Sequence, residues 1–279
     1  MRVLQRHTEF LGSREDNAVD KILTIIDKEW AEVFKNRVVL FTVLFMPLFF
    51  TALPLVVLYA MRVSPGNSDV MDLPPQFTRI CGNLTGAACT QYFTVNQFML
   101  LFMLMPLAIP VAISAYSIVG EKTTRCLEPL LATPITTIEL IVGKGLAAAI
   151  PAIAATWAGF GIFALGAKFL VVSPGVFARI LDPMWLIAVI IVGPLMAAAA
   201  VAMSIIVSSR VSDPRTAEQI SMVVIVPLLG VFFGQMAGLF LLDTRFILVT
   251  AAVLALVDAG LVYLSVGLFQ RETILTKWK

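Results

Sequence analysis

Charge is what this sequence has least of. Only 14% of its 279 residues are Asp, Glu, Lys or Arg, whereas about 25% is usual for a soluble globular chain. The net charge of +2 is too small to indicate a nucleic-acid partner. Apolar residues make up 59% of the chain, and the mean hydropathy is +0.93. This balance predicts a protein embedded in the lipid bilayer.

Residues that carry catalytic or metal chemistry are also scarce. The single histidine, His7, lies in a polar stretch, and no cluster of His and Cys indicates a metal site. The sequence has no G-x-x-x-x-G-K-[ST] loop to cradle nucleotide phosphates, and Gly143-Lys144-Gly145 has the wrong spacing. We therefore expect no enzyme activity and no cofactor in this chain. The first 37 residues lack an apolar core and a cleavage site, so we expect no removable signal peptide.

Long apolar runs are abundant. A helix that crosses a bilayer needs about 20 mostly apolar residues, and its backbone polar groups must bond to one another. Alternation with period two, typical of a membrane β-barrel, is absent. The fold class is therefore an all-α polytopic membrane protein, with a single transmembrane domain over 21–279 after a flexible segment, 1–20. Six spans are predicted, at 38–61, 98–119, 141–163, 184–208, 220–242 and 246–269.

Local signals mark where several helices begin. Asp182-Pro183 and Asp213-Pro214 each place a capping side chain before a proline, and Thr136 with Glu139 forms a possible capping box. Between about Lys21 and Arg37 the pattern is amphipathic. This segment is predicted to lie in the membrane interface; the alternative is an extension of the first span.

The distribution of Lys and Arg indicates the orientation. If the N-terminus is cytoplasmic, the inner segments hold 15 of these residues and the outer segments hold 5. Because inner loops carry the excess of positive charge, both termini are predicted to lie in the cytoplasm. The membrane is predicted to be the plasma membrane. The longest outer loop, 62–97, contains Cys81 and Cys89. They form either a disulfide, as the oxidising side of a membrane permits, or two free thiols.

Two features inside the spans invite a functional reading. Asp258 lies near the centre of the sixth span, where a carboxylate costs roughly 3 kcal/mol to insert. It is a candidate cation or substrate contact, or else a packing residue, and Gln235 in the fifth span is a further candidate for the substrate or ion pathway. Gly230, Gly234 and Gly238 are spaced four apart, with Gln235 beside them. They predict a subunit interface or a movable gate, or packing within one subunit.

Prolines occur in each of the first five spans. A proline inside a helix frees a carbonyl and can kink the helix, and mobile helices would suit a transport protein. Those inside the predicted spans are Pro47, Pro54, Pro106, Pro110, Pro151, Pro194 and Pro227.

The loop from Gly120 to Leu140 carries both signs of charge between two apolar spans. Leu127, Leu130 and Leu131 fall on one helical face, and Glu121 is four residues from Arg125, so the two can pair. A short crosswise helix of this kind can offer a contact surface to a soluble partner. The alternative is an ordinary amphipathic turn at the lipid surface.

This loop resembles the segment between spans two and three of permease subunits of ABC-2 type transporters. The matching residues are Gly120-Glu121-Lys122, Leu127-Glu128-Pro129-Leu130-Leu131-Ala132-Thr133-Pro134 and Gly143-Lys144. The lead-in Ile26-Asp27-Lys28-Glu29-Trp30, the six spans and the tail Phe269-Gln270-Arg271-Glu272 extend the likeness over essentially the whole chain.

The resemblance implies a coupling helix that docks on a separate ATP-binding subunit. It assigns that role to Glu121, Lys122, Arg125, Leu127, Glu128 and Leu131. It also implies two permease chains, identical or not, and two ATPase subunits that hold ATP and magnesium.

The predicted function is thus the permease of an ATP-driven exporter. The apolar spans favour a hydrophobic or amphipathic cargo, with a cation as a further option through Asp258. The alternative is an ATP-independent six-helix transporter or channel with Asp258 as an ion site.

Overall fold

The computed structural model describes residues 18–63, 81–84, 86–123, 135–240 and 242–268, and every helix below lies within these ranges. The structure begins with α1, Ala18–Val33, which a turn at 34–36 joins to α2, Arg37–Val63. The remaining helices are α3 (Ala87–Phe102), α4 (Met105–Thr123), α5 (Thr137–Leu170), α6 (Pro174–Ile180), α7 (Pro183–Ile187), α8 (Gly193–Ser208), α9 (Pro214–Ser221), α10 (Val226–Met236) and α11 (Thr244–Leu268).

These helices make six segments long and apolar enough to cross a membrane, which confirms the predicted fold class. The spans run over Val39–Val63, Ala87–Glu121, Thr137–Leu170, Pro174–Ser208, Pro214–Met236 and Thr244–Gly267. The amphipathic N-terminal segment is a separate helix, α1, that begins at Ala18 and so starts inside the stretch predicted to be flexible.

Span two begins eleven residues before its predicted start at 98, because polar side chains hide its first turns from a hydropathy count. Gln91 is fully buried. Its side-chain oxygen accepts a hydrogen bond from the backbone N–H of Val172 at 2.8 Å, and its amide nitrogen lies 3.5 Å from the carbonyl of Leu170. A buried polar side chain is tolerated where it is bonded in this way.

Spans two and four form the centre of the bundle. In the most apolar window of span two 83% of the residues are buried, compared with 17% in span six. Helix α4 packs against α5, α8 and α9, and α8 also contacts α11. Spans one, five and six therefore lie at the periphery, with most of their side chains available to lipid or to another chain.

Three spans are irregular, and a proline follows each irregularity. Span two breaks at Met103 and Leu104, just before Pro106. Span four contains a π-helical segment, Ala188–Val192, before Pro194, and span five contains a 3₁₀ segment, Met222–Ile225, before Pro227. Because proline lacks an N–H and its ring displaces the carbonyl four residues back, the preceding turn adopts another hydrogen-bond pattern. Pro47, Pro54, Pro110 and Pro151 remain inside regular helix.

The predicted helix starts at Thr136 and Asp213 are present. Thr136 and Glu139 form a reciprocal capping box at the start of α5. The carboxylate of Asp213 accepts hydrogen bonds from the backbone and the hydroxyl of Thr216, both at 2.8 Å, and these bonds lower the pKa of Asp213. Asp182 precedes the proline of α7, although its side chain makes no capping bond there.

The fifth span ends sooner than its predicted end at 242, so the expectation that all three glycines lie within it is corrected. Helix α10 stops at Met236, and Gly238 adopts a positive φ of 71°. The N–H of Leu239 bonds to the carbonyl of Gly234, and that of Gly238 bonds to Gln235. This pattern closes a helix C-terminus and requires a left-handed residue. The three glycines therefore do not share one helical groove.

Candidate functional site

Buried charges gather where α1 meets the end of span two and the start of span three. We call Lys28 and Glu29 of α1, Ser117 and Glu121 of α4, and Lys144 of α5 the ion cluster. Glu29, Glu121 and Lys144 are each no more than 6% exposed. In an apolar interior such groups must be paired, so their geometry indicates what the cluster does.

Helix α1 is held tightly against α5. Its apolar residues Ile25, Ile26 and Val33 are buried, and the indole N–H of Trp30 donates to the carbonyl of Ala147 at 2.9 Å. Gly143 permits this approach, because a Cβ added there would lie 2.8 Å from Ile25 Cγ2. This tight packing places Lys28 and Glu29 next to the end of span two and the start of span three.

Lys144 is the centre of the ion cluster. Its Nζ lies 2.6 Å from Oε1 of Glu29 and 2.8 Å from Oε2 of Glu121. It also donates to the hydroxyl of Ser117 at 3.0 Å, and that hydroxyl donates to the second oxygen of Glu29. One ammonium group therefore joins three helices.

Lys28 balances the charge. Its Nζ lies 2.6 Å from Oε1 of Glu121 and 3.9 Å from Glu32. Partial burial lowers the pKa of Lys28, but the hydrogen bond and negative charge of Glu121 outweigh that effect, so the pKa is raised. Two lysines thus face Glu29 and Glu121, and the cluster is close to neutral. Removing one partner of such a buried set usually costs about 3–5 kcal/mol.

The ion cluster lies at both ends of the loop predicted to contact a partner. Helix α4 ends at Thr123, two residues after Glu121, and α5 begins at Thr137, seven residues before Lys144. The predicted coupling residues Arg125, Leu127, Glu128 and Leu131 lie outside the described residues, as does the side chain of Lys122. The carboxylate of Glu121 lies inside the bundle, where it pairs with Lys28 of α1 and Lys144 of α5. It therefore links the start of the loop to these two helices.

Sequence reasoning assigned no role to Glu29 and Ser117 and used Lys144 only as part of a motif. A signal was available for the two charged residues. Lys144 interrupts an apolar run at the start of span three, and Glu29 lies next to the buried residues of α1. A charge on an otherwise apolar face demands an opposite charge nearby, although the sequence alone does not say which one.

Beside the ion cluster is a cleft of about 390 Å³ with charged side chains in its wall. Its wall includes Lys28, Glu32 and Lys35 from the N-terminal segment, and Tyr116 and Gly120 from α4. The cluster therefore borders a space that opens at the α1 end of the bundle, next to the loop.

The other predicted site residues lie elsewhere in the structure. Asp258 is 8% exposed on the face of α11 that packs on α8, and Gln235 is fully buried near the end of span five. No side-chain oxygen or nitrogen of either residue has a hydrogen-bond partner among the described residues. Gly230 is exposed with open space beside it, whereas Gly234 accommodates the ring of Phe240.

The two cysteines of the long outer loop are brought together as a disulfide. The Cα atoms of Cys81 and Cys89 are 5.2 Å apart. Groups of three or more His, Cys, Asp or Glu that could hold a metal ion do not occur among the residues placed in the structure.

Comparison with protein families decides the assignment of the chain. The model of the ABC-2 family transporter protein matches residues 23–245. The chain belongs to this family. The curated proteins provide no match.

As an ABC-2 family member with six apolar spans, the chain is a multi-pass membrane protein and a transport permease. The family implies an ATP-binding partner of the ABC type. The matched region contains the whole ion cluster and the loop that follows α4, and it ends before Asp258.

Proposed function

We propose that this ABC-2 permease is the membrane subunit of an ATP-driven exporter, and that ATP is hydrolysed by a separate subunit docked on residues 120–140. The observation that carries the proposal is the ion cluster, which joins α1 to both ends of that loop through Lys144. The permease itself carries no ATPase activity in this proposal.

The ion cluster gives a route by which force on the loop reaches the spans. Glu121 lies at the end of span two, and Lys144 lies near the start of span three. Both are bound to α1, which packs on α5 and α4. Because buried ion pairs resist separation, a displacement of the loop moves these three helices as one body.

The irregular turns of spans two, four and five supply places where the bundle can bend. Non-α turns at a proline have weaker or fewer backbone hydrogen bonds and often act as hinges. Motion at the α1 end can therefore change the arrangement of the spans further into the membrane. We propose that this change moves a hydrophobic or amphipathic cargo outward.

The assembly contains two permease chains and two ATP-binding subunits, in line with the resemblance of the loop. Both termini and the loop face the cytoplasm, because the positively charged segments lie on that side. This orientation places the Cys81–Cys89 disulfide on the outer side, where a disulfide persists.

The docking proposal is tested by purifying the tagged permease from its native membranes and measuring the P-loop ATPase that accompanies it. The double variant Arg125→Ala/Glu128→Ala removes two charged groups from the loop without touching the ion cluster. Loss of a docking residue at the centre of an interface lowers affinity about tenfold or more, so the recovered ATPase should fall accordingly.

Arg245→Ala is the matched control. It removes an exposed charge from the first turn of α11, at the opposite end of the bundle, and should leave recovery of the ATPase unchanged. Equal recovery for the double variant and the wild type would contradict docking at this loop. Full transport by the purified permease in liposomes without any ATPase would instead favour the ATP-independent transporter.

A further inference from the structure

A tryptophan supplies a hydrogen bond to span three at a position where a proline leaves a carbonyl free. Pro151 lies inside α5 and has no N–H, so the carbonyl of Ala147, four residues earlier, lacks its usual helical donor. The indole N–H of Trp30 in α1 donates to that carbonyl at 2.9 Å. A side chain of the amphipathic helix therefore takes the place of the missing backbone N–H.

The same exchange occurs in span four, with another tryptophan. In its π-helical segment, hydrogen bonds join residues five apart, and the N–H of Gly193 bonds to the carbonyl of Ala188. Continuing this register would pair the carbonyl of Val189 with Pro194, which has no N–H to donate. The indole N–H of Trp157 in span three donates to the carbonyl of Val189 instead, at 3.1 Å.

Each of these bonds satisfies a donor and an acceptor at once. An indole N–H and a free carbonyl both cost free energy when they are unpaired in an apolar medium, and neighbouring helices can satisfy the groups that a membrane proline releases. Trp157 lies well inside span three, not at an end, where tryptophans anchor helices in the membrane interface. Its bond to Val189 explains this position.

The two bonds connect the ion cluster with the interior of the bundle through span three. Lys144 lies less than one turn before Ala147, where Trp30 bonds, and Trp157 follows further along the same helix. At 1.5 Å per residue, Trp157 is about 15 Å from Ala147 along the helix axis. Two links therefore act in series, one from α1 to span three and one from span three to span four.

The π-helical segment that Trp157 contacts borders a cavity of about 310 Å³ between spans two, four, five and six. Irregular turns of three spans line this cavity, through Ala188 and Val192 of span four, Met103 at the break in span two, and Val224 in the 3₁₀ segment of span five. A shift of span four at its π-helical segment would therefore change the shape of the cavity.

We propose that Trp30 and Trp157 are positioning residues that transmit a displacement of α1 through span three to the π-helical segment of span four. Each indole does so by replacing an N–H that a proline lacks. When span three moves, the carbonyl of Val189 either follows Trp157 or gives up its hydrogen bond in an apolar medium, where the loss costs most. The replacement of the N–H groups is independent of the proposed function, whereas the transmission of motion rests on it.

Double-mutant cycles test the replacement on the purified permease alone. Trp30→Phe and Trp157→Phe should each lower the melting temperature by about 2–4 °C, the effect of one hydrogen bond in a chain of roughly this size. Pro151→Ala returns the N–H that the carbonyl of Ala147 can accept, so Trp30→Phe should cost clearly less in that background. Pro194→Ala should reduce the cost of Trp157→Phe in the same way.

Pro54→Ala is the matched control background. It returns an N–H to span one, whereas the indoles bond to carbonyls of spans three and four. Trp30→Phe and Trp157→Phe should therefore cost as much with Pro54→Ala as in the wild type.

A spin label in the π-helical segment tests whether motion reaches span four. Ile190 is 54% exposed, so Ile190→Cys can carry a nitroxide, with Cys126→Ser removing the thiol that lies outside the disulfide. In nanodiscs that contain the permease and its ATPase, ATP with vanadate should change the spectrum of this label. Trp157→Phe should abolish most of that change.

Phe163→Leu is the matched control for the labelled protein. It removes a fully buried ring from the same span as Trp157 without removing either indole bond. It should lower the melting temperature as well, yet keep the ATP-dependent change of the spectrum. A variant that merely destabilises span three therefore differs from one that breaks the link to span four.

Three results would overturn the proposal. They are additive costs in both cycles, a full ATP-dependent change at Ile190 in the Trp157→Phe variant, and no change in the wild type with its ATPase bound. Recovery of the ATPase is measured on the same preparations, and Trp157→Phe should leave it unchanged. Absence of the ATPase from the wild type would contradict the proposed function and the transmission of motion, while the cycles would still decide whether the indoles replace the missing N–H groups.

Discussion

The permease buries carboxylates in two regions, and the two regions treat them differently. In the ion cluster, Glu29 and Glu121 lie within 2.8 Å of the ammonium group of Lys144. In span six, Asp258 is buried to a similar degree, but its carboxylate has no hydrogen-bond partner among the described residues. Similar burial thus accompanies ion pairing in one place and, among the described residues, an unpartnered carboxylate in the other.

This difference separates charges that stabilise the fold from a charge that costs stability. A paired cluster holds helices together and loses stability when one member is removed. An unpartnered carboxylate destabilises the chain that carries it. Substitutions in the two regions should therefore change stability in opposite directions.

The largest effect is expected for Lys144→Met. The substitution leaves Glu29 and Glu121 buried with Lys28 as the remaining cation of the ion cluster, and should lower stability by about 3–5 kcal/mol. The loss of stability is measured as a lower melting temperature in detergent, with size-exclusion chromatography reporting the fraction of folded protein. Lys168→Met removes an exposed lysine from the last turn of the same helix and should change the melting temperature little. A similar melting temperature for both variants would show that the ion cluster does not hold the helices.

Asp258→Leu should act in the opposite direction. Removing a buried group that lacks a partner among the described residues relieves a cost of about 1–3 kcal/mol, so the melting temperature should rise. Glu29→Leu in the ion cluster is the paired comparison and should lower it. If Asp258→Leu also lowers the melting temperature, Asp258 has a structural partner and the contrast between the two regions fails.

The smallest effect concerns the packing that brings α1 to the cluster. Gly143→Ala forces Ile25 to move, since the added Cβ would lie 2.8 Å from its Cγ2, and should cost about 1 kcal/mol. Gly161→Ala, in the same helix with nothing within 4 Å of the added carbon, should be tolerated. The same unfolding measurement compares them, and equal stability would mean that the close approach of α1 and α5 contributes nothing.

Membrane helices could be predicted from the sequence because length and hydropathy alone define them. Six spans, the amphipathic α1 and the caps at Thr136 and Asp213 all follow from local patterns. The start of span two was placed too late, since the polar Gln91 is bonded to residues near the end of span three. A hydropathy count cannot register a bond made across 81 residues of chain.

Only part of the candidate site could be predicted from the sequence. Asp258 was identified from the sequence, since a charge within an apolar run stands out by itself. The ion cluster was not, because Glu29, Ser117 and Lys144 lie 88 and 27 residues apart along the chain. The three glycines of the repeat were expected within one span, 220–242, but the third closes the helix instead of continuing it.

Local patterns of residues establish that this chain spans a membrane in six helices and where prolines lie in them. They do not show which buried charges are paired, which prolines accompany an irregular turn, or that three irregular turns border one cavity. Ion pairs and cavities depend on side chains a few ångströms apart in space, and the packing of helices brings together residues that are far apart in the chain.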